Sequence, residues 1–166
     1  MLSIRFAQNS HLPAIVDIYN QAIRSRCATG DMDEFTVVVR IDWFNQHSPD
    51  SFPVYVVEMN NKVLGFGSLS PYRPGRRAMD KVAEVSFFLD YNHHHKGIGT
   101  ALLTHMINDC NRLGINSLIA ILLNINIPSI ALLKKHGFEQ WGLMPQIINF
   151  EDKTCDHLYY GLTINK

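Results

Sequence analysis

A glycine-containing loop between a strand-like and a helix-like segment constrains the fold of this chain most. The apolar run Val82–Leu89 precedes the loop, and residues 98–113 carry apolar side chains at helical spacing. The loop closes on Gly97 and Gly99. A helix that starts directly after such a loop presents unbonded backbone N–H groups and the positive end of its dipole. The pattern therefore predicts a phosphate-binding turn in the middle of the chain.

Two common phosphate-binding motifs do not fit this loop. The Walker pattern ends in Gly-Lys-Ser/Thr, whereas Lys96 precedes Gly97 here and no glycine lies at the required upstream position. The dinucleotide fingerprint requires a third glycine, and Leu102 occupies that place. Both motifs are excluded by their spacing.

Length, charge and cysteine content limit the other possibilities. A chain of 166 residues suits a single domain, predicted to span 1–166. Fifteen basic residues balance fifteen acidic ones, so neither a nucleic acid nor a membrane surface is an expected partner. No apolar run is long enough to span a membrane, and the N-terminus is too polar for a signal peptide. Three widely spaced cysteines indicate reduced thiols and a cytoplasmic location.

Periodicity along the chain predicts the element order β-α-α-β-β-β-α-β-α-β-β. Ser10 is the expected cap of the first helix, which ends before a loop at 24–34. The predicted helices after it span 36–46, 97–113 and 128–136. The predicted strands span 3–7, 54–59, 63–69, 82–89, 117–123, 138–143 and 154–162.

Two segments together resemble one enzyme family. The stretch His94-His-Lys-Gly97-Ile-Gly99 resembles the Gln/Arg-x-x-Gly-x-Gly/Ala loop of the GNAT superfamily of acyl-CoA-dependent N-acetyltransferases. Residues 126–138 resemble that family's second signature, Asn-x-x-Ser/Ala-x-x-Leu-Tyr-x-Lys-x-Gly-Phe. His94 and Leu133 depart from the usual Gln/Arg and Tyr. The resemblance implies an α/β (α+β) fold, with a mixed, strongly bent central sheet flanked by helices.

The resemblance also implies that acetyl-CoA is the co-substrate. In that family the loop amides hold the pyrophosphate, and the central strand pairs with the pantetheine arm. The Asn126 side chain would bond the pantetheine arm or a nearby main-chain group, and Ser129 would cap the helix or contact CoA. The residues thus assigned to acetyl-CoA are Phe87, Phe88, Leu89, His94, His95, Lys96, Gly97, Ile98, Gly99, Thr100, Asn126, Ser129 and Lys135.

For several of these residues a structural role stays open. Phe87 and Phe88 are also ordinary core residues, and Lys96 and Lys135 are also ordinary solvated lysines. The resemblance assigns the Leu89 N–H to the thioester oxygen as an oxyanion donor. Leucine at position 133 cannot protonate the leaving thiolate as the family's tyrosine does.

Glu84 is the candidate general base. Alternation puts it on the strand face opposite Val85, within an otherwise apolar strand, where a carboxylate is costly to bury. As a base, directly or through water, it would accept the proton of the substrate ammonium. The alternative is an ion pair with Lys81 or with an arginine near the start of the strand. The resemblance favours the base.

The segment before that strand suggests the substrate class. Residues 72–79, with Ala83-Glu-Val-Ser and Trp141-Gly-Leu-Met-Pro145, resemble the phosphinothricin and amino-acid sulfone/sulfoximine N-acetyltransferases. The primary amine of a small amino acid or analogue is then the acceptor, and arginines suit capture of its carboxylate. The candidate substrate-binding residues are Tyr72, Arg73, Arg76, Arg77 and Met79. A solvated basic loop is the alternative.

The remaining expectations concern metals, assembly and rival functions. Adjacent histidines at 93–95 point in different directions, so no metal is expected. Family members form dimers, which implies a homodimer here. Two rival functions stay open. One is a GNAT enzyme acting on a protein N-terminus or a polyamine, and the other is a non-catalytic acyl-CoA-binding sensor domain.

Overall fold

A computed structural model describes residues 1–164, which form a seven-stranded mixed sheet flanked by helices. The strand order is β1-β2-β3-β4-β5-β7-β6, and only the β4–β5 pair is parallel. This arrangement confirms the predicted fold. The strands are β1 Leu2–Phe6, β2 Val54–Met59, β3 Lys62–Pro71, β4 Val82–Leu89, β5 Ser117–Leu123, β6 Glu139–Phe150 and β7 Lys153–Thr163. The α-helices are α1 Leu12–Ser25, α2 Val37–Asn45, α3 Ile98–Leu113 and α4 Ile127–Lys135.

The side chains of β4 alternate between two apolar layers. Ala83 and Val85 are buried in a cluster that includes Leu102 and Met106 of α3. On the other face, Phe88 packs against a cluster formed by α1 and β2 with Phe66 of β3. Helices on both faces therefore bury the central strands, as expected for a sheet whose middle strands are apolar.

The ends of α3 carry the glycines that the sequence places there. Gly97 is the N-cap residue at φ 76° and Gly114 the C-cap residue at φ 68°, both left-handed. Such φ values favour glycine because a Cβ would approach the backbone. The helix thus begins directly at the end of the glycine loop.

Two element predictions are wrong. Ser10 does not cap the first helix, because residues 9–11 form a 3₁₀ turn and His11 is the N-cap of α1. The sixth strand does not end at Leu143 but continues to Phe150. Pro145 is tolerated because β6 is an edge strand and its pairing with β7 is irregular between Met144 and Ile148.

None of the helices within residues 1–164 has the length and apolar character that crossing a membrane requires.

Candidate active site

A cleft opens in the sheet where β4 and β5 stop pairing. The two strands pair at only three positions, the last being Glu84 with Ile119, whereas β3 and β4 pair at seven. Beyond Glu84 the strands separate around a cavity of about 560 Å³. Its walls are residues 85–89 of β4, residues 120–122 of β5, the start of α3 and one side of α4. A single opening therefore joins the central strand to the glycine loop.

The open edge of β4 presents backbone groups to the cleft. The Asp90 N–H donates to the Leu64 carbonyl of β3 at 2.9 Å. Successive N–H groups of a strand point to alternate edges, so the Leu89 N–H points toward the cleft. Val85 and Phe87 share its direction. These three residues offer main-chain hydrogen bonds to an extended ligand lying along β4.

The first turn of α3 adds further unbonded donors. Gly97, the N-cap residue, has no side chain that could cap the helix. The first intrahelical bond joins the Ala101 N–H to the Gly97 carbonyl at 3.0 Å. The N–H groups of Ile98, Gly99 and Thr100 precede that bond and lie at the mouth of the cleft. Unbonded donors at the positive end of a helix dipole are suited to accept an anion.

Gly99 also has a steric reason to be glycine. A Cβ built at this position would lie 3.0 Å from Leu132 Cδ2 and 3.3 Å from Leu89 Cδ1. Both leucines line the cleft. A larger residue at 99 would push these side chains into the opening.

His94 is tied to the end of β4. Its Nε2 lies 3.2 Å from the Leu89 carbonyl oxygen, and because a carbonyl only accepts, the ring donates there. Its ring also lies 4.6 Å from that of Tyr91. Lys96, by contrast, donates to the Asn92 carbonyl and does not line the cleft, whereas His95 and Lys135 do.

Asp90 anchors the loop between β4 and α3. Its buried carboxylate accepts from the Asn92 N–H at 2.9 Å and lies 3.3 Å from His93 Nδ1. Burial acts to raise the pKa of Asp90, but the Asn92 hydrogen bond and the charges of His93 and Lys62 outweigh it and lower the pKa. The loop is therefore held by an ionised side chain.

Asn126 caps α4 at the side of the cleft. Its side-chain oxygen accepts from the Ser129 N–H at 3.3 Å. The expectation that Ser129 itself caps the helix is therefore wrong, because Ser129 is the residue being capped. Both residues line the cleft. Leu133, at the family's tyrosine position, also lines the cleft and is 1% exposed.

Glu84 lies at the closed end of the cleft. It immediately precedes Val85, the first β4 residue of the cleft wall, but does not line the wall itself. Within residues 1–164 it forms no salt bridge, so the pairing with Lys81 or an arginine is not observed. Burial raises the pKa of its half-buried carboxyl. An unpaired, partly desolvated carboxylate has the character of a proton acceptor.

The arginine loop lies outside the cleft. Arg73, Arg76, Arg77 and Met79 are exposed and Tyr72 is half-buried. None of the five lines the cleft, and Arg77 borders a separate crevice with Lys81 and Asn116. The loop joins β3 to the Glu84 end of β4, where the Tyr72 N–H donates to the Val82 carbonyl at 3.3 Å. The arginines form no salt bridge within residues 1–164.

Comparison with known proteins decides the family. The model of the "Acetyltransferase (GNAT) family" matches residues 12–138. The chain belongs to the GNAT acetyltransferase family.

Named GNAT relatives cover nearly the whole chain. YwnH of Bacillus subtilis, provisionally named a phosphinothricin acetyltransferase, is 39% identical over 93% of this chain and 94% of its own. An L-methionine sulfoximine/L-methionine sulfone acetyltransferase of Pseudomonas aeruginosa is 31% identical over 87% and 84%. A phosphinothricin acetyltransferase of Sinorhizobium meliloti, solved in complex with acetyl-CoA, superposes with a TM-score of 0.92 at 26% identity, covering 99% and 89%.

Some residues of the GNAT cleft were not predicted from the sequence. Ala22, Cys27 and Ala28, at and after the end of α1, line the cleft opposite β4. Ala22 and Ala28 carry no functional group, the thiol of Cys27 belongs to no motif, and residues 24–34 have no periodicity. Only the tertiary packing of α1 over the sheet reveals them.

The histidines of the GNAT loop do not form a metal site with neighbouring residues. Within residues 1–164 no group of three His, Cys, Asp or Glu side chains converges as metal ligands.

Proposed function

We propose that this chain transfers the acetyl group of acetyl-CoA to the primary amine of an amino acid or analogue, such as phosphinothricin, methionine sulfone or methionine sulfoximine. The observation that carries the proposal is the opening between β4 and β5, which ends at the unbonded N–H groups of α3. The names of the relatives support the substrate class.

Acetyl-CoA would bind mainly through main-chain groups. The N–H groups of Ile98, Gly99 and Thr100 suit the pyrophosphate, because they combine unbonded donors with the positive end of the helix dipole. The pantetheine arm would add to the open edge of β4 as an extra strand. The Leu89 N–H would then donate to the thioester oxygen and stabilise the oxyanion.

Glu84 would take up the ammonium proton through ordered water molecules, because it lies five residues before Leu89 in the same strand. The neutral amine then attacks the thioester carbonyl and the C–N bond forms. The C–S bond breaks to release CoA thiolate, and the attacking nitrogen gives its second proton to solvent as the amide forms. Leu133 supplies no proton to this thiolate. Because a free thiol of this type has a pKa of about 8.5, the thiolate is a competent leaving group without an acid. No covalent enzyme intermediate is needed.

The arginine loop would bind the carboxylate of the acceptor. Arg73, Arg76 and Arg77 are free of salt bridges within residues 1–164 and follow β3 at the Glu84 end of β4. An acceptor that approaches from the Glu84 end of the cleft would direct its carboxylate toward this loop. Tyr72 and Met79 flank the arginines and would contact the side chain of the acceptor.

We also propose that the chain acts as a single domain in a cytoplasmic homodimer. Support for the dimer comes from the edge strand β6, whose side chains Trp141, Leu143, Met144 and Ile147 are each between 43% and 52% exposed. Support for the location comes from three free cysteines. Light scattering of the wild type against Leu143→Glu tests the dimer, which the charged residue should dissociate.

Thiol release from acetyl-CoA tests the activity. The panel contains the three amino-acid analogues, spermidine and a peptide with a free N-terminal alanine. Turnover of the analogues supports the proposal. Turnover of spermidine or the peptide alone would show that the acceptor is a polyamine or a protein N-terminus instead of an amino acid. Acetyl-CoA binding without any turnover would support a sensor domain instead.

A further inference from the structure

Two polar side chains, Ser70 and His47, form a series of contacts that starts opposite Glu84 and leads away from the cleft. Ser70 of β3 is the direct cross-strand partner of Glu84 in the β3–β4 register. Directly paired residues of antiparallel strands point to the same face, with Cβ atoms about 4.5–5.5 Å apart. The Ser70 hydroxyl is thus the polar group of β3 that Glu84 faces.

The Ser70 hydroxyl contacts His47, which follows α2. His47 Nε2 lies 3.1 Å from Ser70 Oγ, and His47 Nδ1 lies 2.7 Å from the Trp43 carbonyl oxygen. A carbonyl only accepts, so Nδ1 carries the hydrogen, and the neutral ring offers Nε2 as an acceptor. Ser70 then donates to His47 and keeps its lone pairs for a donor on the Glu84 side.

The ring of His47 is fixed in this orientation. It lies 4.8 Å from the Trp43 ring, and its half-buried position leaves one side toward solvent. The charge that acts on its pKa is that of Arg40 on α2, and Glu84 lies across Ser70 in the strand register. The arrangement therefore joins a partly desolvated carboxyl to a group that exchanges protons with water.

We propose that Ser70 and His47 form a proton path that removes the proton from Glu84 after each deprotonation of the substrate. The Glu84 carboxyl gives its proton to Ser70 Oγ while Ser70 gives its own hydroxyl proton to His47 Nε2. Glu84 returns to a carboxylate and Ser70 stays a neutral hydroxyl. His47 becomes an imidazolium that loses its Nε2 proton to solvent, which restores the tautomer with hydrogen on Nδ1. His47 and Ser70 are positioning residues, since they act through Glu84, and the proposal rests on the proposed function.

The energetics suit such a path. Burial raises the pKa of Glu84. Burial lowers the pKa of His47, the Trp43 hydrogen bond opposes that shift, and the charge of Arg40 adds to it. The two shifts bring the pKa values toward each other, which favours rapid transfer in either direction. No direct hydrogen bond joins Glu84 and Ser70 within residues 1–164, so one rotamer change or one bridging water completes the path.

The test compares His47→Gln, Ser70→Ala and Ser70→Thr by kcat at saturating substrates, across pH and imidazole concentration. His47→Gln keeps a hydrogen-bond acceptor but cannot be protonated, and Ser70→Thr keeps the hydroxyl. We expect kcat to fall about tenfold in His47→Gln and Ser70→Ala at low buffer concentration, with KM for acetyl-CoA unchanged. Added imidazole should restore His47→Gln, and Ser70→Thr should retain most of the wild-type rate.

The controls separate the path from folding and from the proposed function. His105→Gln, on α3 beside Tyr55, removes a histidine away from the path and should leave kcat unchanged. If His47→Gln fails to fold, the Ser70 pair carries the test. The path is overturned if kcat of His47→Gln is not restored by imidazole and kcat of Ser70→Thr falls as well. It is also overturned if His47→Gln and Ser70→Ala both keep the wild-type kcat. Full activity of Glu84→Gln, or a wild type without turnover, overturns the base itself and the path with it.

Discussion

Ala83 and Glu84 of β4 are paired on both edges, whereas residues 85–89 are paired only with β3. The paired end holds Glu84, a side chain whose chemistry depends on its surroundings. The open end offers main-chain groups that almost any side chain would leave intact. Under the proposed function, the two ends of one strand have separate tasks, with binding of the co-substrate at the open end and proton transfer at the paired end.

Glu84→Gln tests the paired end and should have the largest effect. We expect kcat to fall about 10²–10⁴-fold, because the amide cannot take up the ammonium proton. Acetyl-CoA binding should stay unchanged, since Glu84 does not line the cleft. Steady-state kinetics and calorimetry check both. Glu58→Gln, on β2, is the matched control, and equal rates in the two variants would contradict a catalytic role for Glu84.

The same variant should be more stable than the wild type near neutral pH. Burial raises the pKa of Glu84, so the folded state disfavours its ionised form. That destabilisation is absent below the unfolded-state pKa and grows as pH rises through the raised value. Thermal unfolding at pH 7 and at pH 4 should show the gain only at the higher pH. In the wild type, kcat should fall with decreasing pH along a limb displaced above the usual range of a glutamate.

Arginine substitutions extend the comparison beyond the paired end. We expect Arg73→Ala, Arg76→Ala or Arg77→Ala to raise KM for an amino-acid acceptor by about 10–100-fold where the residue binds the carboxylate, because a charged hydrogen bond contributes about 1.5–3 kcal/mol. KM for acetyl-CoA should not change. Arg24→Ala, on α1 and paired with Glu34, is the control. If none of the three substitutions changes KM for the acceptor, the loop is a solvated basic loop that does not bind the carboxylate.

Two glycines of α3 offer a matched pair for the open end. Gly97 and Gly114 both have positive φ, and within residues 1–164 only their own stretch of backbone lies within 4 Å of a Cβ built on them. Either alanine substitution should therefore cost about 1–2 kcal/mol of stability. Only Gly97→Ala should also weaken acetyl-CoA binding, by about tenfold, because it disturbs the anion-binding turn. Equal CoA affinity in both variants would argue against that turn as the pyrophosphate site.

Asn126 separates capping from ligand contact at the wall of the open end. Asn126→Ala should lower stability by about 0.5–2 kcal/mol, through loss of the bond from the Ser129 N–H. Asn126→Asp keeps a capping oxygen and should restore most of that stability. A raised KM for acetyl-CoA in the stable Asp variant would add a direct contact with CoA, whereas an unchanged KM leaves Asn126 as a cap alone.

The sequence predicted the elements whose signals are local. The bounds of β4 and β5 agree with the structure to the residue, because apolar runs between polar turns define both. Alternation also placed Glu84 and Val85 on opposite faces. The end of β6 was missed because Pro145 resembles a strand terminator unless the strand is known to lie at an edge.

The site was harder to predict from the sequence than the fold, for a physical reason. The glycine loop can be recognised in the sequence because its two glycines and the start of the helix are contiguous. His47 and Ser70 lie 23 residues apart and meet only through the packing of α2 over β3. Their separate residue types carry no pattern. For the arginines of residues 73–77, the sequence supplied the charge but not the direction of an exposed loop.

The most direct test of the account is thiol release from acetyl-CoA by wild type and Glu84→Gln, with methionine sulfone, methionine sulfoximine and phosphinothricin as acceptors. We expect turnover of at least one acceptor by the wild type, and a loss of about 10²–10⁴-fold in the variant with acetyl-CoA affinity retained. Tight acetyl-CoA binding by both proteins, without thiol release on any acceptor, would contradict it.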